Sequence, residues 1–184
     1  MSPLATGYPG NLDVMIQPFS DWMCGAMLGS QLVGTPTSAA WTSNNRAFYM
    51  PLYVPQPVVV VKLWVLNGAT ASGNIDLGLY TRGAGGPASL LTSSGSTAQS
   101  GTSVVQEVDI TDQVLSPGTY YVALAHSSTV GTVYRTQIGN AAKAQSTGIC
   151  MQASALPLPA TATPVVTTVS DIPIFGVSLR TLVA

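Results

Sequence analysis

A chain of 184 residues is long enough for one domain with a sizeable core. Only 7% of it is charged, against roughly a quarter in ordinary soluble domains, while 46% is hydrophobic and the net charge is -1. That balance excludes disorder driven by charge, and six scattered Lys and Arg without a basic run exclude an electrostatic grip on nucleic acid.

Residues 1–40 read as an extended N-terminal arm. Pro3, Pro9, Pro18 and Pro36, with many Gly, prevent a long helix. Asp21 is placed to cap a short helical turn through Trp22, Met23, Ala26 and Met27. The arm is too apolar for a solvated tail, so it is expected to pack on its own domain, on a neighbouring subunit, or on both. Val14, Ile16, Phe19, Trp22 and Met27 are its candidate partner-binding residues. No secretory signal is expected, because the first basic residue is Arg46. The apolar stretch 23–33 is broken by Gly25, Gly29, Ser30 and Gln31 and is too short to span a bilayer.

Residues 41–184 read as the compact domain, an all-β antiparallel sandwich. RAFYMPLYV (46–54) is a strand whose Pro51 places it at an edge or a bulge. VVVVKLWVL (58–66) is a continuous apolar strand, covered on both faces or lying in a subunit contact. In NIDLGLY (74–80), Ile75, Leu77 and Leu79 point one way while Asn74, Asp76 and Tyr80 point the other. A long flexible turn (81–89) and a polar connection (93–103) follow. The next strand carries Val104, Val108 and Ile110 and ends at Asp109-Ile110-Thr111-Asp112. Ser116-Pro117-Gly118 turns the chain into GTYYVALA (118–125). There Tyr120, Val122 and Leu124 alternate with Tyr121, Ala123 and Ala125, and the small partners indicate a second covered face.

Beyond Ala125 the expected elements are fewer. Residues 131–138 form a strand with Val133 and Ile138 buried and Arg135 outward, 140–147 a polar loop, and 148–153 a short strand. ALPLPATATP (155–164) is a Pro-spaced extended segment. In the last strand, IFGVSLRTLV (174–183), Phe175, Val177 and Leu179 face in while Ser178 and Arg180 face out. About eight strands of ordinary length result, near the size of a jelly roll.

Catalytic, cofactor and metal sites are not expected. His126 is the only histidine, which leaves no partner for a His-based dyad or cluster, and it reads as a hydrogen-bonded surface or turn residue. Asp109 and Asp112 offer too few oxygens for calcium, which takes about six to eight. Asp76 and Glu107 are the one pair of carboxylates that would suit glycoside chemistry if they shared a sheet, and outward-facing strand polarity explains them equally. The Trp and Tyr residues form either a sugar-stacking platform or core and interface, with the second more usual on strands. GAGG (83–86) lacks the Lys-Ser/Thr pair and helix of a phosphate loop. Cys24 and Cys150 have no metal-ligand spacing; buried free thiols are expected, with a pair between the two as the alternative. The scarcity of charge points to a surface covered by further subunits, hence a homo-oligomer, possibly a trimer. A neutral surface rich in Ser, Thr, Asn and Gln is the other way to keep such a chain soluble.

The series RAFYMPLYV, VKLWVLNGATASGNIDLGLYT, SGSTAQSGTSVVQEVDIT and LSPGTYYVALA resembles the jelly-roll domain of tailed-phage virion proteins over residues 46–125. The likeness lies in strand pattern and turn residues, so it implies a structural module and no catalytic motif. It implies a virion location and a non-enzymatic capsid decoration, or cement, protein. That role calls for a sandwich, an arm and contacts with other virion proteins, the major capsid protein first among them. The alternative is a tail or head fibre component that recognises a host surface glycan, since related sandwiches occur in carbohydrate-binding modules and receptor-binding tips.

Overall fold

The computed structural model describes residues 22–24, 36–137 and 139–180, and of 22–24 the backbone alone. Among these residues the chain forms β1 (Trp22–Cys24), β2 (Thr37–Ala40), β3 (Arg46–Val54), β4 (Val58–Leu66), β5 (Asn74–Gly83), β6 (Gly86–Ser93) and β7 (Thr97–Ala98). Then come β8 (Val105–Leu115), β9 (Gly118–His126), β10 (Thr132–Gln137), helix α1 (Ala141–Ser146), β11 (Cys150–Gln152), β12 (Val165–Val166), β13 (Asp171–Pro173) and β14 (Phe175–Arg180). The total of fourteen strands exceeds the expected eight because β1, β2, β7, β11, β12 and β13 have only two to four residues each.

All pairings among the named strands are antiparallel. The smaller main sheet runs β1-β14-β4-β8, and the larger runs β12-β11-β3-β9-β5-β6 with β7 on β5. A third sheet, β13-β10-β2, has three strands. The chain crosses repeatedly between the two main sheets: β3 belongs to the larger, β4 to the smaller, β5 and β6 to the larger, β8 to the smaller and β9 to the larger.

The period of two decides what each strand buries. Phe48, Met50 and Leu52 of β3, Ile75, Leu77 and Leu79 of β5, and Val122 and Leu124 of β9 supply one wall of the core. Leu63 and Val65 of β4, Ile110 and Leu115 of β8, and Phe175 and Val177 of β14 belong to the same cluster from the smaller sheet. A fully buried side chain of this size contributes roughly 1.5–3 kcal/mol relative to exposure.

The larger sheet is covered on its outer face as well. Ala47 and Tyr49 of β3, Tyr80 of β5 and Tyr121, Ala123 and Ala125 of β9 pack there with Ala155, Leu158 and Ala162. The covering piece is the Pro-spaced stretch 155–163, a strap lying across the strands. Small residues on the sheet make room for it. A Cβ on Gly78 would stand 2.6 Å from Leu158 Cδ1 and 3.1 Å from Leu90 Cδ1, so the bare backbone of Gly78 seats Leu158.

Several local expectations are corrected. Trp22–Cys24 is not a helical turn but a strand that pairs with β14, which satisfies its backbone within the sheet. The long flexible turn is a tight hairpin, with Gly83 opposite Gly86. β8 does not end at Asp112: a register irregularity opposite β4, between Val60 and Lys62, absorbs extra residues and the strand continues to Leu115. The polar loop contains α1, whose first turn is capped by Asn140 Oδ1 accepting from Lys143 N at 3.0 Å. Arg135 turns to Asp171, with Nη1 at 2.9 Å from Oδ2 and little of either side chain exposed. Pro51 agrees with its sequence reading, because β11 pairs with β3 only at Ala47–Tyr49 and leaves Pro51 flanked by β9 alone. Ile138 lies outside the described residues.

Gly78→Ala provides the test of the strap. Gly78 does not hold a left-handed backbone, so Ala would normally stabilise a strand there. The collision with Leu158 reverses the sign, and a loss of about 1–3 kcal/mol is expected in urea unfolding. The double variant with Leu158→Ala should recover most of the Gly78→Ala penalty relative to Leu158→Ala alone.

Candidate functional site

The residues singled out for chemistry do not converge. Asp76 is on β5 in the larger sheet and Glu107 on β8 in the smaller, so they do not share a sheet as paired carboxylates. Asp112 pairs with Arg180 at the surface. Glu107 accepts from Lys62 Nζ at 3.3 Å on the adjacent β4 and from Ser178 Oγ at 2.7 Å on β14, one strand further. Surface pairs of this kind contribute about 0–1 kcal/mol. Among the described residues no three His, Cys, Asp or Glu side chains stand together as a metal cluster. Cys150 is a free, half-buried thiol, and burial pushes its pKa up to about 12, which leaves it unreactive at neutral pH. The Cys24 side chain, Val14, Ile16, Phe19 and Met27 lie outside the described residues. Trp22 is described only as a backbone position in β1.

Two buried polar centres replace the expected outward-facing groups. The first is Asp76, 1% exposed beneath the strap. Its Oδ2 accepts from Leu158 N at 2.9 Å and its Oδ1 from Ser94 Oγ at 3.4 Å. Burial raises its pKa, and those two hydrogen bonds partly offset the rise. Beside it, Tyr80 Oη donates to Pro159 O at 2.7 Å and Tyr49 Oη to Gln152 Oε1 at 3.0 Å. The two rings meet edge to face at 5.3 Å. Burial pushes the Tyr49 hydroxyl up to about 12 and the Tyr80 hydroxyl upward as well, so both stay protonated donors. Backbone bonds complete the fastening: Ala155 N to Asn45 O, Leu90 N to Ala160 O and Ala162 N to Ala88 O, at 2.7, 2.9 and 2.8 Å. The chemistry here is attachment. Asp76 and Tyr80 each meet a backbone group of the strap that would otherwise be orphaned.

His126 anchors the second centre. It is fully buried at the end of β9, which corrects the reading of a surface or turn residue. Its ring stacks on Trp41 with centroids 5.7 Å apart. Nδ1 lies 2.9 Å from Ser128 N, and Nε2 lies 3.0 Å from Gln99 Oε1. Gln99 Nε2 donates to Asn67 Oδ1 at 3.0 Å and to Thr132 O at 2.8 Å. Asn67 Nδ2 in turn donates to Ser100 O and to Gln106 Oε1. The chain of amides joins segments far apart in sequence and closes one end of the sandwich. Asn67 and Gln99 were missed as site residues. The polar run at 93–103, which holds Gln99, reads only as a connection in the sequence.

No protein-family model matches the chain, and no curated protein or solved structure is significantly similar to it.

Asp76 separates attachment from catalysis. Above its raised pKa the folded protein carries a buried carboxylate, a cost that disappears as pH falls and the group is protonated. Asn removes that cost and keeps an acceptor for Leu158 N, so Asp76→Asn should lie within about 1 kcal/mol of the parent or above it at pH 7. Asp76→Ala orphans the amide and should cost about 1–3 kcal/mol. It should also open the 155–163 strap to limited proteolysis, while Glu107→Ala should cost less.

Proposed function

We propose that this chain is a non-enzymatic structural protein of a phage particle, with a jelly-roll-type sandwich and an arm that ties it to neighbouring subunits. The observation that carries this reading is the employment of its most reactive groups. Asp76 and His126 are buried, lie in separate centres, and spend their hydrogen-bonding capacity on holding loops and a strap. The two facing antiparallel sheets, with the chain crossing between them from β3 to β9, support a jelly-roll type. They agree with the strand series that resembles virion domains.

Within that reading a capsid decoration protein comes first. Such a protein needs contact area, an arm and a robust fold. Exposed valines are consistent with contact area: Val114 on β8 and Val165 and Val166 on β12 are 58–66% exposed, and β8 and β12 end their sheets. A fibre component binding a host glycan calls for clustered exposed aromatics. Among the described residues Tyr53 is exposed, Tyr120 and Tyr134 are half-buried, and Trp41, Trp64, Tyr49, Tyr80 and Tyr121 are buried.

The pairing of β1 with β14 divides the arm into a docked stretch and the residues before it, which include Val14, Ile16 and Phe19. Removing residues 1–21 should therefore leave a sandwich that melts within a few degrees of the full chain but no longer joins particles. Undiminished incorporation would move the partner contact onto the sandwich. In light scattering at micromolar concentration the full chain should be a homo-oligomer, with a trimer expected, and a clean monomer counts against self-association.

A further inference from the structure

The loops of residues 67–74, 97–104 and 126–131 carry no acidic side chain, yet they meet around the one imidazole of the protein. We propose that the His126–Gln99–Asn67 chain is an acid-sensitive latch: it holds these three loops shut over one end of the sandwich and releases them when the imidazole becomes imidazolium.

Backbone groups that cannot exchange roles dictate the protonation state. Thr132 O can only accept, which fixes the Gln99 amide nitrogen toward it. Ser100 O likewise fixes the Asn67 nitrogen, so Asn67 Oδ1 faces Gln99 as an acceptor. Gln99 Oε1 is then an acceptor, as its bond from Ser72 N at 2.9 Å also requires. His126 Nε2 must therefore donate to it. On the other side Ser128 N can only donate, so Nδ1 must be the bare nitrogen. The closed end accepts one form of histidine, the neutral Nε2–H tautomer.

Adding a proton to Nδ1 sets two N–H groups against each other at 2.9 Å. The surroundings give little relief. A Cβ on Gly131 would lie 2.4 Å from His126 Cε1, so the 126–131 loop is already against the ring. Trp41 covers a face of it. The cross-strand neighbour is Arg46, a cation that donates to Thr42 Oγ1. Glu107 on β8 is turned to Lys62 and Ser178, and Arg135 on β10 to Asp171. Asp76 on β5 alternates to the opposite face from Ile75, the strand neighbour of His126. Consistent with this, burial lowers the His126 pKa from 6.5 to about 4, with the backbone at Ser128 offsetting part of the fall. Because the folded value is depressed, the closed state weakens as pH falls from about 6.5 toward 4. Opening frees the ring to its ordinary value and becomes roughly a hundredfold more favourable at pH 4 than at pH 7.

A single histidine makes the test direct. Imidazole nitrogen NMR of the full chain should show the Nε2–H tautomer at pH 7 and a midpoint near 4. Hydrogen-exchange protection, corrected for intrinsic rates, should fall roughly a hundredfold between pH 7 and 4 in the three loops. His126→Asn preserves an acceptor for Ser128 N and His126→Gln preserves a donor to Gln99; both should start lower and respond little to pH. The 155–163 strap, governed by Asp76, should not follow His126. A midpoint near 6.5, an Nδ1–H tautomer at pH 7, or loop protection that falls equally in wild type and both variants would overturn the latch.

Discussion

β9 has a hydrogen-bonded strand along each edge and protein on both faces. From Tyr121 to His126 neither of its faces is free to meet water, so its side chains must suit two environments in strict alternation. Val122 and Leu124 fill the space between the main sheets, while Ala123 and Ala125 keep the other face low enough for a strap to cross. The rest of the architecture follows from this central position. β3 and β5 inherit the same two-sided requirement, which explains Ala47 beside Phe48 and Gly78 between Leu77 and Leu79. At the end of β9 the alternation delivers His126 into the interior, where a polar ring needs partners fixed in place.

Both polar centres solve the same problem. A sandwich with few charges has little to gain from surface ion pairs, and its three described salt bridges include two that are partly exposed. Buried hydrogen bonds to backbone groups are the alternative, because they join strands and loops that apolar packing alone would leave free to slide. Asp76 and Tyr80 fasten the strap at Leu158 and Pro159, and His126 with Gln99 and Asn67 fastens the loop end. Groups committed in this way have little remaining capacity for chemistry on a substrate, and that is the physical content of the structural reading.

Where periodicity alone determines an outcome, the residues declared it. The alternation of 74–80 and the small residues opposite Val122 and Leu124 gave away both the inner wall and the existence of a second covered face. What covers that face was not legible. The strap has no period to detect, being Pro-spaced, and its fastening partner Asp76 is 82 residues from Leu158. His126 was misread for a similar reason: its one local partner, Ser128 N, suits a turn residue equally well, and its side-chain partner Gln99 is 27 residues away. The six residues of α1 were too few for a helical period, leaving the Asn140 cap as the only signal. Asp109 and Asp112 looked like a strand end because turn residues and an outer edge strand share a composition, and an irregularity let β8 pass through them.

The structural reading concerns how many copies of this chain a particle needs, since an enzyme or a receptor-binding tip works in small numbers while a shell is reinforced everywhere. Quantitative mass spectrometry of purified particles, calibrated against the major capsid protein, measures that number directly. The account predicts hundreds of copies per particle. A few to tens of copies would place the chain in the tail or neck and contradict the decoration role, and its absence from purified particles would contradict the virion assignment altogether.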